Sequence, residues 1–127
     1  MPQGPIGTTT ATKAGVASPL ALDATGNLDT QSGGTNSKMN MAAANVIKNS
    51  PGRLRKVVVN GVVGTGGSLT FNDCATTGTA SAANAIMVQP GTIAPGTVIN
   101  IDWPCKVGIV LSAVPTGGTP VIAASFD

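Results

Sequence analysis

Six short runs in the second part of the chain concentrate valine, isoleucine and threonine: RLRKVVVN (53–60), SLTFND (68–73), NAIMVQ (84–89), TVINID (97–102), VGIVLSA (107–113) and PVIAASF (120–126). Turn-forming residues separate them, at Gly61 to Gly67, Thr76 to Thr79, Pro90 to Gly96, Trp103 to Lys106 and Pro115 to Thr119. Short β-rich runs with such punctuation predict an all-β antiparallel sandwich or barrel. Alternation assigns the faces. In TVINIDW, Ile99, Ile101 and Trp103 are expected to point inward and Asn100 and Asp102 outward; in SLTFND, Leu69 and Phe71 take the inner face. The last two runs flank Pro115-Thr116-Gly117-Gly118 and read as a β-hairpin. They are apolar on both faces, so a second cover is expected over them, from the leading segment or from another chain.

Residues 1–50 differ. They are rich in Thr, Ser, Gly, Asn and Ala, and only short extended pieces suggest themselves. SPLALDATGNLDT (18–30) has the form of a small hairpin turning at Gly26-Asn27, and AANVIKNS (43–50) that of one strand; a short helix around Met39–Ala44 competes with strand there. The expected organisation is an extended N-terminal arm over 1–50 and a β-sandwich domain over 51–127. So polar an arm does not order itself, since fixing each residue costs about 1–2 kcal/mol of backbone entropy. The domain surface or a neighbouring subunit must hold it.

Composition adds a constraint on lifestyle. Of 127 residues only 9% are charged and 2% aromatic (Phe71, Trp103 and Phe126), while 42% are hydrophobic. The core must therefore be filled by small and β-branched side chains. A surface this poor in charge suits close contact with other proteins better than free circulation as a monomer. A net charge of +2 with no basic stripe does not suggest nucleic acid binding. Its one cluster, Arg53, Arg55 and Lys56, reads as a solvated strand face or as a match for an acidic partner. No apolar run reaches membrane-spanning length, and the amino terminus lacks the basic and apolar regions of a secretory signal, so synthesis and assembly in a cytoplasm are expected.

Groups able to do chemistry are scarce. There is no histidine, no tyrosine and no glutamate, which removes the usual base near neutral pH and any serine–histidine or cysteine–histidine pair. Asp73 and Asp102 lie at strand ends, where turn capping is the commoner role of an aspartate than shared acid–base work. Two cysteines without histidine do not make a tetrahedral zinc site, and calcium on Asp73 with loop carbonyls is the only metal reading that arises. Cys74 and Cys105 read as small buried side chains, with a disulfide the alternative. GVVGTGGS (61–68) lacks the lysine and the following helix of a phosphate-binding loop and is expected to be an inter-strand turn. No catalytic, cofactor or metal residue is therefore assigned.

The succession SPGRLRKVVVNGVVGTGGSLTFNDC, ASAANAIMVQP and GTVINIDWPCKVGIVLSAVPTGGTPVIAASFD, preceded by LALDATGNLDT and NVIKNSPGRL, resembles small structural virion proteins of tailed bacteriophages of the head decoration, or cement, type. The resemblance spans most of residues 19–127 and rests on turns and strands. It implies a jelly-roll-like sandwich on the capsid exterior that binds the major capsid protein and bridges coat subunits, as a dimeric or trimeric homo-oligomer, with no cofactor, nucleic acid or membrane involved. Arg53, Arg55 and Lys56 are then the expected rim contacts to an acidic coat surface. The alternative is a receptor- or glycan-binding β-domain of a head or tail fibre, using Trp103 and polar loop groups.

Overall fold

The computed structural model describes residues 34–127 and, by their backbone, the strands Thr10–Lys13 (β1) and Val16–Pro19 (β2). The chain divides into two compact units, Met1–Gln31 and Ser32–Asp127. In the first, β1 and β2 pair antiparallel, Thr10 opposite Pro19 and Lys13 opposite Val16. The hairpin expected at Gly26-Asn27 lies outside the described residues.

The second unit contains eight strands: β3 (Asn36–Met41), β4 (Asn45–Lys48), β5 (Gly52–Val62), β6 (Gly66–Asn72), β7 (Ala85–Pro90), β8 (Val98–Cys105), β9 (Ile109–Thr116) and β10 (Thr119–Phe126). They form two four-stranded antiparallel sheets ordered β3-β10-β5-β8 and β4-β9-β6-β7. The pairs β6–β7, β5–β8, β4–β9 and β3–β10 are nested in sequence, one inside the next. The unit is thus one long antiparallel ribbon, rolled up until β10 meets β5 and β9 meets β6. That is the topology of a jelly-roll sandwich.

All six runs read as strands after residue 50 are strands. Two further strands come from the segment expected to be arm: β3 and β4 are edge strands, one in each sheet, and the sandwich begins well before residue 51. Where a helix competed over 39–44, the backbone is extended to Met41. Asn40 there adopts φ 60° in the stretch of β3 between Lys38 and Met41, where its register against β10 is irregular, a conformation that asparagine tolerates better than most residues. Pairing along the β10 edge decides the outcome against local helix preference.

The final hairpin is also corrected. β9 and β10 belong to different sheets, because β9 is flanked by β4 and β6 and β10 by β3 and β5. Residues 117–118 form a corner between the layers. Gly117 has φ 80°, and a Cβ there would collide with the Thr65 side chain, so only glycine fits the corner.

Between the sheets lies the core: Met41, Leu54, Val57, Val59, Leu69, Phe71, Met87, Ile109, Leu111 and Ile122, all at most 8% exposed. Phe71 is its one fully buried aromatic, and aliphatic side chains fill the remainder, each worth about 1.5–3 kcal/mol on full burial. Trp103 is not part of it. Instead of following Ile99 and Ile101 inward, it is 51% exposed. The alternation breaks at Asp102, which has φ 46°, so the phase read from Ile99 does not carry through to Trp103.

β9 does carry two buried faces, at Ile109, Val110 and Leu111. Its second cover comes from within the unit. The β6–β7 connection, residues 73–84, folds back over the outward face of the second sheet, and its first 3-10 turn, Thr77–Thr79, packs on β9. β10, by contrast, alternates between buried and half-buried positions.

Candidate interaction surface

Arg53, Arg55 and Lys56 all lie on β5, but the structure gives them different roles. Arg55 is the extra residue in the register of β5 against β10, which passes from Leu54–Phe126 directly to Lys56–Ser125. On its other side, the step from Leu54–Trp103 to Lys56–Asn100 leaves Ile101 and Asp102 opposite it. This irregularity aims Arg55 at two carboxylates. Its Nη1 donates to Asp102 Oδ1 at 2.7 Å, and its Nε donates to Asp127 Oδ2 at 2.8 Å, with Nη2 at 2.7 Å from the same oxygen. Arg53 Nη1 reaches Asp102 Oδ1 at 3.3 Å. Asp127 Oδ1 also accepts from the Thr35 backbone N–H at 2.8 Å, and its carbonyl oxygen accepts from Lys48 Nζ at 3.0 Å.

The electrostatics follow. The Thr35 N–H, and then Arg55, hold the Asp127 carboxyl below its ordinary range. The hydrogen bond to Asp127 raises the already basic Arg55 guanidinium further. Two of the three cations expected to meet a partner are therefore committed to tying β3, β4, β5, β8 and β10 together at one end of the sandwich. Lys56 makes no ion pair among the described residues.

Beyond this network the outward face of the same sheet carries an apolar hollow with polar residues around it. Ser37, Met39, Lys56, Val58, Ala123 and Ser125 line a hollow of about 210 Å³ across β3, β10 and β5. Met39 is 72% exposed, and Val98, opposite Val58 on β8, is 54% exposed. The hydroxyl of Ser125 is buried at this place with no hydrogen-bond partner. Most of this surface was invisible in sequence: Met39 lay in presumed arm, and the outward positions of β10 became neighbours of Val58 only through the roll.

A second concavity, of about 320 Å³, separates the folded-back 73–84 connection from the other sheet and is lined by Thr70, Asn72, Thr77, Ser81, Val88 and Ser112 among others. Asn72, 2% exposed, holds its floor. Its Nδ2 donates to the Ser81 carbonyl at 2.8 Å and to Asn84 Oδ1 at 2.7 Å, and its Oδ1 accepts from the Ser112 hydroxyl. The amide is spent on fastening the connection down.

Asp73 and Asp102 do not form a carboxylate pair. Asp73 accepts from the backbone N–H groups of Lys106 (2.9 Å), Val107 (2.8 Å) and Gly108 (3.2 Å), capping the β8–β9 turn as expected. Burial works against its charge, but these donors outweigh burial and hold its pKa below the ordinary value. Oxygens so enclosed by donors are poorly placed for calcium. The two cysteines are buried and unbridged. Burial, then the Asp73 charge, pushes the Cys105 thiol up to about 11, so it is protonated at neutral pH. No group of metal-binding side chains occurs among the described residues, and no helix there is long and apolar enough to cross a membrane.

Compared with known proteins, the chain matches no family model, no curated protein and no solved structure.

Proposed function

We propose that this chain is a structural virion protein of a tailed bacteriophage, a decoration subunit that binds the outside of the capsid shell and bridges coat subunits. The observation that carries the proposal is the outward face of the β3-β10-β5-β8 sheet, where an apolar strip from Met39 to Val98 lies open on a jelly-roll body. Exposed apolar patches bounded by polar groups mark protein contacts, and this one sits on rigid strands rather than on a loop. The carboxylates support the same reading, since Asp73 caps a turn and Asp102 and Asp127 are both engaged by Arg55. Jelly rolls serve several functions, capsid and lectin domains among them. The resemblance in sequence selects the virion from that set. Its mechanism is non-covalent clamping: modest apolar contacts, repeated around a shell, sum to firm attachment through avidity.

The test is reconstitution. Shells stripped of this protein are expected to rupture at lower temperature and under milder osmotic shock than complete shells, and adding the purified chain should restore both. A receptor- or glycan-binding fibre domain is the second reading, favoured by one observation, the 51% exposure of Trp103 as a stacking surface. Stripped shells of unchanged strength that no longer attach to host cells would establish that reading instead.

A further inference from the structure

The hollow on the β3-β10-β5-β8 sheet carries a charge asymmetry. Lys56 stands at its margin, beside Ser125 and Asn100 in the strand register, and has no ion-pair partner among the described residues. The carboxylates of the neighbouring network are already committed, Asp102 to Arg53 and Arg55 and Asp127 to Arg55 and Thr35. From residue 34 onward the chain carries six cations and three carboxylates, a net charge of +3. The third carboxylate, Asp73, is enclosed by the β8–β9 turn. The described sandwich thus has no carboxylate free of an arginine or a turn to offer Lys56. A second copy seated on this face through its own sandwich would meet Lys56 only with a carboxylate already shared with arginine, a poorer counter-charge than an unshared acid of another protein.

We propose that the hollow is the docking site for a different protein, one that inserts an apolar side chain between Met39, Val58 and Ala123 and sets an aspartate or glutamate beside it to pair with Lys56. The inference rests on the decoration reading, in which that surface belongs to the coat. It narrows the contact from a general basic cluster to one lysine and one apolar seat. Arg53 and Arg55 act as the brace that shapes the rim.

The experiment measures binding of the full-length chain to stripped shells. Lys56→Glu is expected to weaken binding roughly tenfold or more, because it sets like charges together at a closely packed contact. Met39→Asp, at a position exposed enough to spare the fold, should weaken it at least as much by placing a charge in the apolar seat. Lys106→Glu makes the same change in net charge on an exposed turn residue and should alter binding by no more than about twofold if only local charge matters. Equal losses for Lys56→Glu and Lys106→Glu would show non-specific attraction and overturn the proposal, as would wild-type binding by the Lys56 and Met39 variants. Met39→p-benzoylphenylalanine identifies the occupant directly. Photo-crosslinks to an acidic segment of the coat support the docking site, whereas crosslinks to a second copy or to residues 1–33 of the same chain overturn it. If the wild-type chain binds no shell, the decoration reading itself falls and this inference with it. Intact wild-type binding with indifferent variants removes only the inference.

Discussion

Asp73 carries two opposed influences on a single carboxyl. Burial raises the cost of its charge, and three backbone N–H donors from Lys106, Val107 and Gly108 repay more than that cost, so its pKa in the folded chain lies below the ordinary one. The unfolded chain therefore takes up the proton first as the pH falls. The stabilisation is complete above the ordinary aspartate pKa, about 3.9, and disappears as the pH drops through the lower folded value. Asp73→Asn keeps the shape but presents an amide N–H where an acceptor is needed. At pH 7 the variant is expected to lose about 1 kcal/mol, because the Lys106 and Val107 donors can turn to water and only Gly108 is buried. The gap between wild type and variant should narrow toward pH 3, measured by urea unfolding at both pH values. A gap independent of pH would show that the carboxylate charge is not what holds the turn.

At the scale of elements, one side chain ties the second half of the connection between β6 and β7 to the sheet. Asn72 fastens residues 81–84 to the sheet and also receives the Ser112 hydroxyl. Asn72→Ala removes three hydrogen bonds to half-buried and exposed groups, and a loss of about 1–2 kcal/mol is expected. Amide exchange should accelerate mainly over residues 76–84 while the core strands stay protected. Uniform acceleration would instead mean that the connection and the sandwich open as one unit. Nothing in the sequence singled out Asn72, which stands among polar residues at the end of an alternating run. The six strands after residue 50 were legible because each carries β-branched side chains or, as in SLTFND, an alternation of large apolar ones, with turn-formers between the runs. β3 was not: NSKMNM has little apolar content, and its extended form comes from the β10 edge. The β9–β10 corner read as a hairpin because turn chemistry is local, whereas membership of a sheet is decided by strands far away in sequence. The candidate surface divides in the same way. Arg53, Arg55 and Lys56 were visible as a cluster, but the commitment of both arginines required Asp102 and Asp127, 47 and 72 residues from Arg55.

At the scale of the whole molecule, the nested ribbon predicts an order of assembly. Within the sandwich β6 and β7, joined by residues 73–84, are the closest partners in sequence, whereas β3 and β10 bring Asn36 opposite Phe126. Closing a long loop in one step costs more entropy than a short one, but once β6 and β7 pair, each outer pair closes over a segment already shortened by the pair inside it. Pairing is therefore expected to spread from β6–β7 toward β3–β10. With so many distant pairs, folding should take milliseconds to seconds. Leu69, on β6, and Met41, on β3, are both buried in the same core, and each change to alanine should cost about 2–5 kcal/mol. Their kinetic signatures should differ. Leu69→Ala should slow folding, with a φ-value of about 0.5–0.8, while Met41→Ala should mainly speed unfolding, with a φ-value of roughly 0–0.3. Stopped-flow refolding and unfolding of the two variants decides the matter, and equal slowing of folding by Met41→Ala would exclude the inside-out order. The order bears on function because Met39 lies on β3 and Ala123 on β10. The proposed docking seat is then completed in the last step, so a partially rolled chain presents no finished docking face.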